Sequence, residues 1–421
     1  MKKFYIYLFC TITCLLLIFS SCNKSGQEEM AEPFTNENEA GLLGADKEQD
    51  LNSNTEQTPQ QEPEIIEYRT SFIGCGDNII YGTKDARSKA IPGGRELNYK
   101  PHYAPVAHII ENADIAFINQ ETVMCGEGYQ LSFYPLFNSP QDVGYDLVEL
   151  GFDVVNIATN HMLDKGAKGL LKTIEFWKSL DTLMIGGYEN KEDFDNIRVL
   201  EKDGLKIAFL AYTYGTNGLT KDPYSNVIIP YINDEDIIRQ TALAKQKADL
   251  VFVSVHWGVE GAFTPNSEQI RVAQLFADNG VDVILGHHPH VIQPVEWLEG
   301  KDGNKTLCVY SLGNFMAEQD YDYNMVGGII TFDIVHSTAF KPYIDNVIFV
   351  PTVFHFTSNF MTNEVYRMED YTPQLASVHG VKLYYGHKLT YDGLLKYATD
   401  TIDEQFLPDF FKSDDQQSEQ Q

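Results

Sequence analysis

The sequence predicts an α/β fold, and three observations carry that expectation. From Glu67 onward, short apolar runs rich in Val, Ile and Phe alternate with segments whose apolar residues recur at helical spacing. No internal repeat of fixed period interrupts the alternation. Strand after strand then runs into Asp, Glu, Asn or His, and α/β sheets build their sites beyond the carboxyl ends of strands.

The chain begins differently. Lys2 and Lys3 precede an apolar run from Phe4 to Phe19, followed by Ser20, Ser21 and Cys22. A charged start, an apolar stretch and small residues before a cut describe an export signal over residues 1–22. A cysteine at the cut is the mark of a bacterial lipobox, so the chain is expected to reach the cell envelope and be anchored to a membrane through lipidated Cys22. Residues 23–66 are polar and acidic, with Lys24 and Lys47 against the acidic residues between Glu28 and Glu64. Such a stretch cannot bury enough apolar area to offset its ordering entropy, and it reads as a disordered tether. Without Cys22 and the signal, Cys75, Cys125 and Cys308 remain. Their odd number offers no disulfide framework, their spacing suits no metal, and Cys75 and Cys308 read as buried packing residues.

Strands are expected over Tyr68–Cys75, Asp114–Asn119, Phe152–Ala158, Lys206–Tyr212, Asp249–His256, Val281–Leu285, Lys305–Leu312 and Gly327–Val335. Helices are expected over Pro140–Leu150, Ala167–Leu180, Asp234–Lys247 and Ser267–Asn279. In the last, Val272, Leu275 and Phe276 complete an apolar side. The main domain is placed at residues 67–360, an extension packing on it at 361–412, and a disordered polar tail at 413–421.

Charge bounds the partners. Lys plus Arg number 31 against 60 Asp plus Glu, a formal charge of −29. That excess repels nucleic acid and other polyanions at long range, so an anionic substrate needs a metal ion or a local basic patch. One basic stretch exists: Lys84, Arg87, Lys89, Arg95 and Lys100 lie among only Asp85 and Glu96. Lys84, Arg87 and Lys89 are the candidates for steering an anion.

The strand ends are Gly76-Asp77-Asn78, Gln120-Glu121, Thr159-Asn160-His161, His256-Trp257-Gly258 and Gly286-His287-His288-Pro289-His290. Taken singly, an Asp after Gly is usually a turn residue, and a His ending a strand is often a hydrogen-bonded core residue. The three clustered histidines are harder to explain that way, because adjacent imidazoles repel on protonation without a metal or anion partner. Five such endings together point to a metal site. Carboxylate with imidazole and no Cys suits Mn, Fe or Zn better than Ca.

In order and combination, Gly76-Asp77, Asn119-Gln120-Glu121, Thr159-Asn160-His161 with Asp164 and Gly166, His256-Trp257-Gly258 with Glu260, Gly286-His287-His288-Pro289-His290-Val291 and Tyr310-Ser311-Leu312-Gly313-Asn314-Phe315 resemble the motifs of the CapA family of capsule synthesis proteins. The resemblance runs from about Ile73 to Phe315. It implies a role with poly-γ-glutamate capsule polymer and with capsule-synthesis membrane proteins. It also implies a calcineurin-like metallophosphatase fold, a four-layer α/β/β/α sandwich, holding one or two divalent ions. By that resemblance Asp77 would bind a first metal, Glu121 would bridge, Asn160 and His256 would bind a second, and His288 and His290 would divide between them. His161 would act as general acid, oriented by Asp164, and His287 would stand by as a spectator. Glu260 and Asn314 would support the metals or touch substrate. The phosphatase relatives carry His two residues after the first Asp, whereas this chain has Ile79. The partner expected is an anionic small molecule or an acidic envelope polymer. Phosphoester hydrolysis, non-catalytic handling of capsule polymer and amide hydrolysis all remain open at this point.

Overall fold

Fourteen strands and the helices between them are arranged as two sheets in the computed structural model, which describes residues 66–81, 97–360 and 362–412. Residues 1–65, with the expected signal, Cys22 and most of the expected tether, lie outside the described residues, as do Lys84, Arg87, Lys89 and residues 413–421.

The strands are β1 (Tyr68–Asn78), β2 (Ile115–Gln120), β3 (Val154–Asn156), β4 (Leu183–Ile185), β5 (Arg198–Lys202), β6 (Leu205–Thr213) and β7 (Leu250–His256). They continue as β8 (Val283–His287), β9 (Val295–Glu299), β10 (Lys305–Val309), β11 (Asn314–Met316), β12 (Val326–His336), β13 (Tyr343–Phe356) and β14 (Asn363–Arg367). The first sheet has the order β14-β13-β12-β1-β2-β3-β4, with β11 beside the end of β1. Strands β1 to β4 pair in parallel, while β12, β13 and β14 join antiparallel. The second sheet has the order β5-β6-β7-β8-β10-β9, parallel from β6 through β10 with antiparallel edges.

Alternation along the strands stacks these sheets, since successive side chains point to opposite faces. In β6, Ile207, Phe209 and Ala211 join the core shared with the first sheet, and Ala208, Leu210 and Tyr212 join a second core. The inner contact is aromatic: Phe72 of β1 meets Phe252 of β7 edge-on at 5.2 Å. The outer core is closed by Ile237 and Ala244 of helix Asp234–Ala244 and by Val272, Ala273 and Phe276 of helix Ser267–Asp278. Helices Gln141–Glu149 and Gly166–Lys178 send Val143, Leu147, Leu170 and Ile174 into the core of the first sheet. The result is the helix–sheet–sheet–helix sandwich expected from the resemblance.

Local chemistry sets the helix starts. Asn266 caps Ser267–Asp278 by accepting from Gln269 N, and Gln269 Oε1 accepts from Asn266 N in return, a reciprocal capping box. Asn233 caps Asp234–Ala244 in the same sense by accepting from Asp236 N. All four expected helices form. Cys75, Cys125 and Cys308 are buried and unpaired.

Candidate metal centre

The carboxyl ends of the parallel strands of both sheets converge, and the polar endings come together there. Asp77 lies near the end of β1. The pairing of β1 with β2 shifts register between Cys75 and Asp77, a bulge of the kind that re-aims a side chain. Gly76 makes this possible: a Cβ there would stand 2.1 Å from Gly313 O, so only glycine lets the start of β11 close against β1. Glu121 follows β2, Asn160 and His161 follow β3, His256 ends β7, and His288 and His290 follow β8.

Asp77 is fully buried and held on several sides. Asn119 Nδ2 donates to its Oδ1 at 2.8 Å, and the backbone N of His288 donates to Oδ2 at 3.3 Å. His290 Nδ1 lies 3.0 Å from the same Oδ2 and 3.1 Å from Asn314 Oδ1. Both neighbours are acceptors, so Nδ1 carries the hydrogen and Nε2 is the nitrogen turned to Glu121, at 3.7 Å from Oε1. Glu121 Oε1 is also 3.8 Å from His256 Nε2. Asn160 Nδ2 donates to Asn217 Oδ1 at 3.2 Å, which turns its own Oδ1 toward His256 Nε2 at 3.1 Å. The rings of His256 and His288 stand 4.9 Å apart, under Tyr214, whose ring lies 4.5 Å from that of His288.

Charge is distributed unevenly across this cluster. Burial alone would raise the Asp77 carboxyl, but hydrogen bonds with His287 and His290 hold it well below its usual range. Burial, together with the nearby charge of Asp77, pushes the Glu121 carboxyl well above its usual range. Burial and the neighbouring imidazoles drive His256 well down and His288 down to about 3. His290 moves up to about 9 despite burial, because Glu121 and Asp77 face it.

These residues fit a divalent cation. Both carboxylate oxygens of Glu121, Nδ1 of His256 and Nδ1 of His288 are buried with no hydrogen-bond partner in the protein. Buried polar atoms are normally satisfied, and a buried carboxylate with no hydrogen-bond partner is costly unless a cation neutralises it. One ligand atom each from Asp77, Glu121 and His290 falls within a 4.8 Å group, and a second such group joins Glu260, His288 and His290. His288 and His290 adopt left-handed φ values of 98° and 55°. Non-glycine residues held there cost roughly 1–3 kcal/mol each and cluster at functional sites.

Beside the ligand cluster stands a separate pair. His161 Nδ1 lies 2.7 Å from Asp164 Oδ2, which also accepts from Phe137 N at 2.7 Å. The carboxylate therefore holds the Nδ1 hydrogen and leaves Nε2 as the working nitrogen.

The remaining positions divide. Asn314 opens β11 rather than ending the preceding strand, which stops at Val309, and it pairs in register with Asp77. Ile79 turns into an apolar cluster with Phe137 and Ala317, so position 79 supplies no ligand. His287 is fully buried, stacks on Phe117, and has Nδ1 3.5 Å from Asp77 Oδ1. Lys100, the one described member of the basic stretch, pairs with Glu149. Asn217 and Tyr214 went unmarked in the sequence because β6 ends in Thr213, with no carboxylate or imidazole to draw notice. A cavity of about 580 Å³ opens beside His290, with Tyr81, Tyr134, Glu260, Asp320, Tyr321 and Tyr323 among its walls. Among the described residues, its lining contains no Lys or Arg.

Comparison with known proteins places these features in context. The family model described as "Bacterial capsule synthesis protein PGA_cap" matches residues 71–319. The chain is 35% identical over 190 residues to "Capsule biosynthesis protein CapA" of Bacillus anthracis, covering 44% of this chain and 45% of the relative. It is 32% identical over 190 residues to "PGA biosynthesis protein CapA" of Bacillus subtilis, covering 45% and 48%. The match thus spans about half the length of these curated relatives. Among solved structures, the NAD nucleotidase of Haemophilus influenzae aligns over 79% of this chain and 60% of its own, with 14% identity and a TM-score of 0.43.

Proposed function

This chain belongs to the bacterial capsule synthesis protein family PGA_cap, and from that premise we propose that it is a metal-dependent phosphoester hydrolase of the cell envelope. The observation that supports this most is Glu121: a fully buried carboxylate whose oxygens have no hydrogen-bond partner in the protein, set between His256, His290 and Asp77. Asp77, Glu121 and His290 would hold one divalent ion, and Asn160, His256 and His288 would complete a second position with Glu121. Such an ion, when bound, supplies a water acidic enough to attack at neutral pH and charge to offset the developing anion.

The chain's own residues do the rest. Asp164 holds His161 through Nδ1 and keeps it oriented, so that Nε2 can face a leaving oxygen and give it a proton. Phe137 packs edge-on against the ring at 4.8 Å and limits its rotation. Asp320 in the cavity wall repels a second anionic group, which favours a substrate whose negative charge is concentrated at the ligand cluster. The names of the relatives support a capsule polymer or one of its precursors as the wider context, whether that object is hydrolysed at an ester, cut at an amide or only held. Anchoring through Cys22 would keep the domain at the membrane where such material is made. Loss of membrane retention in Cys22→Ala would support the anchor, and unchanged fractionation and processing would rule it out.

The function itself is tested by elemental analysis of the purified chain together with turnover of phosphomonoesters, phosphodiesters and polyglutamate. Two divalent ions per chain with ester turnover is the expected result. Polymer binding with no turnover would leave a non-catalytic capsule factor, and a chain that takes up no divalent ion would end the metal reading altogether.

A further inference from the structure

Glu260 belongs to no ligand set of the phosphatase type, yet the fold delivers it to the ligand cluster. It lies in the loop that follows His256. That loop is fixed at both ends: Trp257 N donates to His287 O at 3.0 Å, and Gly261 N donates to Pro289 O at 2.8 Å. The second bond ties the Glu260 turn to the middle of His288-Pro289-His290. Gly258 turns the chain with φ at +93°, where a Cβ would meet the Gln269 side chain at 2.7 Å. The outcome is that a Glu260 oxygen, one nitrogen of His288 and one nitrogen of His290 all fall within 4.8 Å of one another, and Glu260 and His290 line the cavity.

Two further observations point to a ligand there. His288 is 3% exposed, and its Nδ1 has no hydrogen-bond partner. Both histidines of the trio hold left-handed backbone conformations, which a loop keeps only when its surroundings impose them. The inner trio of Asp77, Glu121 and His290, meanwhile, has Ile79 where a further imidazole would stand. We propose that Glu260, grouped with His288 and His290, is an anionic ligand to one of the two cation positions of this centre on its cavity side, a donor that partly makes up for the absence of an imidazole at position 79. Mixed imidazole and carboxylate donors select an ion of the Mn²⁺ or Zn²⁺ class rather than Ca²⁺. The proposal rests on the reading of the cluster as a metal centre.

The test is Mn²⁺ binding by the full chain, followed by equilibrium dialysis with elemental analysis. Wild type, Glu260→Gln and Asp320→Asn are compared. Glu260 is exposed, so the amide leaves the fold intact, and Asp320 is a second carboxylate of the same cavity that is no ligand. Glu260→Gln is expected to lose one Mn²⁺ per chain or to weaken it by more than about 100-fold, beyond the loss of a group that merely orients a ligand. Asp320→Asn is expected to keep wild-type stoichiometry. Equal binding by wild type and Glu260→Gln would overturn this proposal alone. An equal loss in Asp320→Asn would also overturn it, reducing Glu260 to a contributor to the cavity's negative field. A wild-type chain that binds no Mn²⁺ and no Zn²⁺ would overturn the metal reading and this assignment with it.

Discussion

His161 and His256 both lie where strands end, but their surroundings assign them different work. His256 is fully buried, and its Nε2 faces Glu121 and Asn160, a ligand's position. His161 has its Nδ1 tied to Asp164 and stands at the edge of the cluster, a proton donor's position. His256→Ala should therefore lose metal and melt at lower temperature, because a bound ion stabilises the folded state by linkage. His161→Ala should keep both metal content and melting temperature while turnover falls by roughly 10²–10⁴, the usual worth of general acid catalysis. The fall should be smallest for an ester whose leaving group needs no proton. Metal stoichiometry, melting curves and rates on two esters of different leaving-group pKa separate the roles, and loss of metal from His161→Ala would make it a ligand. Much of this cluster was legible in the sequence, since polar residues at strand ends can be named from local pattern. Which way each side chain faces cannot. His287, expected as a spectator beside the His288 and His290 pair, sits 3.5 Å from Asp77, because the last residue of β8 points between the sheets. Asn119 and Asn217 act only through partners distant in sequence, Asp77 and Asn160, and no spacing rule reveals such contacts.

At the scale of elements, the legible strands are the central ones. Strands β1, β2, β6, β7, β8 and β10 are covered on both faces, so their sequences are continuous apolar runs that need no tertiary knowledge to recognise. The strands that escaped notice are short, exposed on one side or interrupted. β4 and β11 have three residues each. β5 and β9 are edge strands reading Arg-Val-Leu-Glu-Lys and Val-Glu-Trp-Leu-Glu, where charged residues face water and blunt the edge. β13 is long, but Asp345, Asn346 and Pro351 break its pattern, and its regularity comes from pairing with β12 and β14. The second sheet shows why binary pattern works inside and fails outside: β6 alternates between two buried faces, whereas β5 touches both cores only with partly covered side chains, β9 buries only Val295, and charged residues interrupt both.

The whole molecule is joined across elements far apart in the chain, and its last segment is the test of how far that joining goes. Side chains after residue 361 enter the same core as β1 and β7: Val365, Met368, Tyr371, Leu389, Leu394 and Phe406 are each 4% exposed or less. The buried His379 Nε2 donates to Phe354 O at 3.0 Å, and His355 Nδ1 lies 2.8 Å from the Tyr371 hydroxyl, so polar groups are also matched across the seam. Burying a large apolar side chain stabilises by about 1.5–3 kcal/mol. Six of them reach an upper bound of about 9–18 kcal/mol, as large as the roughly 5–15 kcal/mol net stability of a whole domain. A chain ending after Phe360 should therefore not fold cooperatively. It would expose Val353, Phe354 and Phe356 of β13 and leave Phe354 O without its His379 partner. The expected observation is loss of a sigmoidal thermal transition and of near-ultraviolet circular dichroism, with aggregation on concentration. If the shortened chain instead melts cooperatively within a few degrees of the full chain and still takes up divalent metal, the last segment is dressing on a core that the two sheets complete alone.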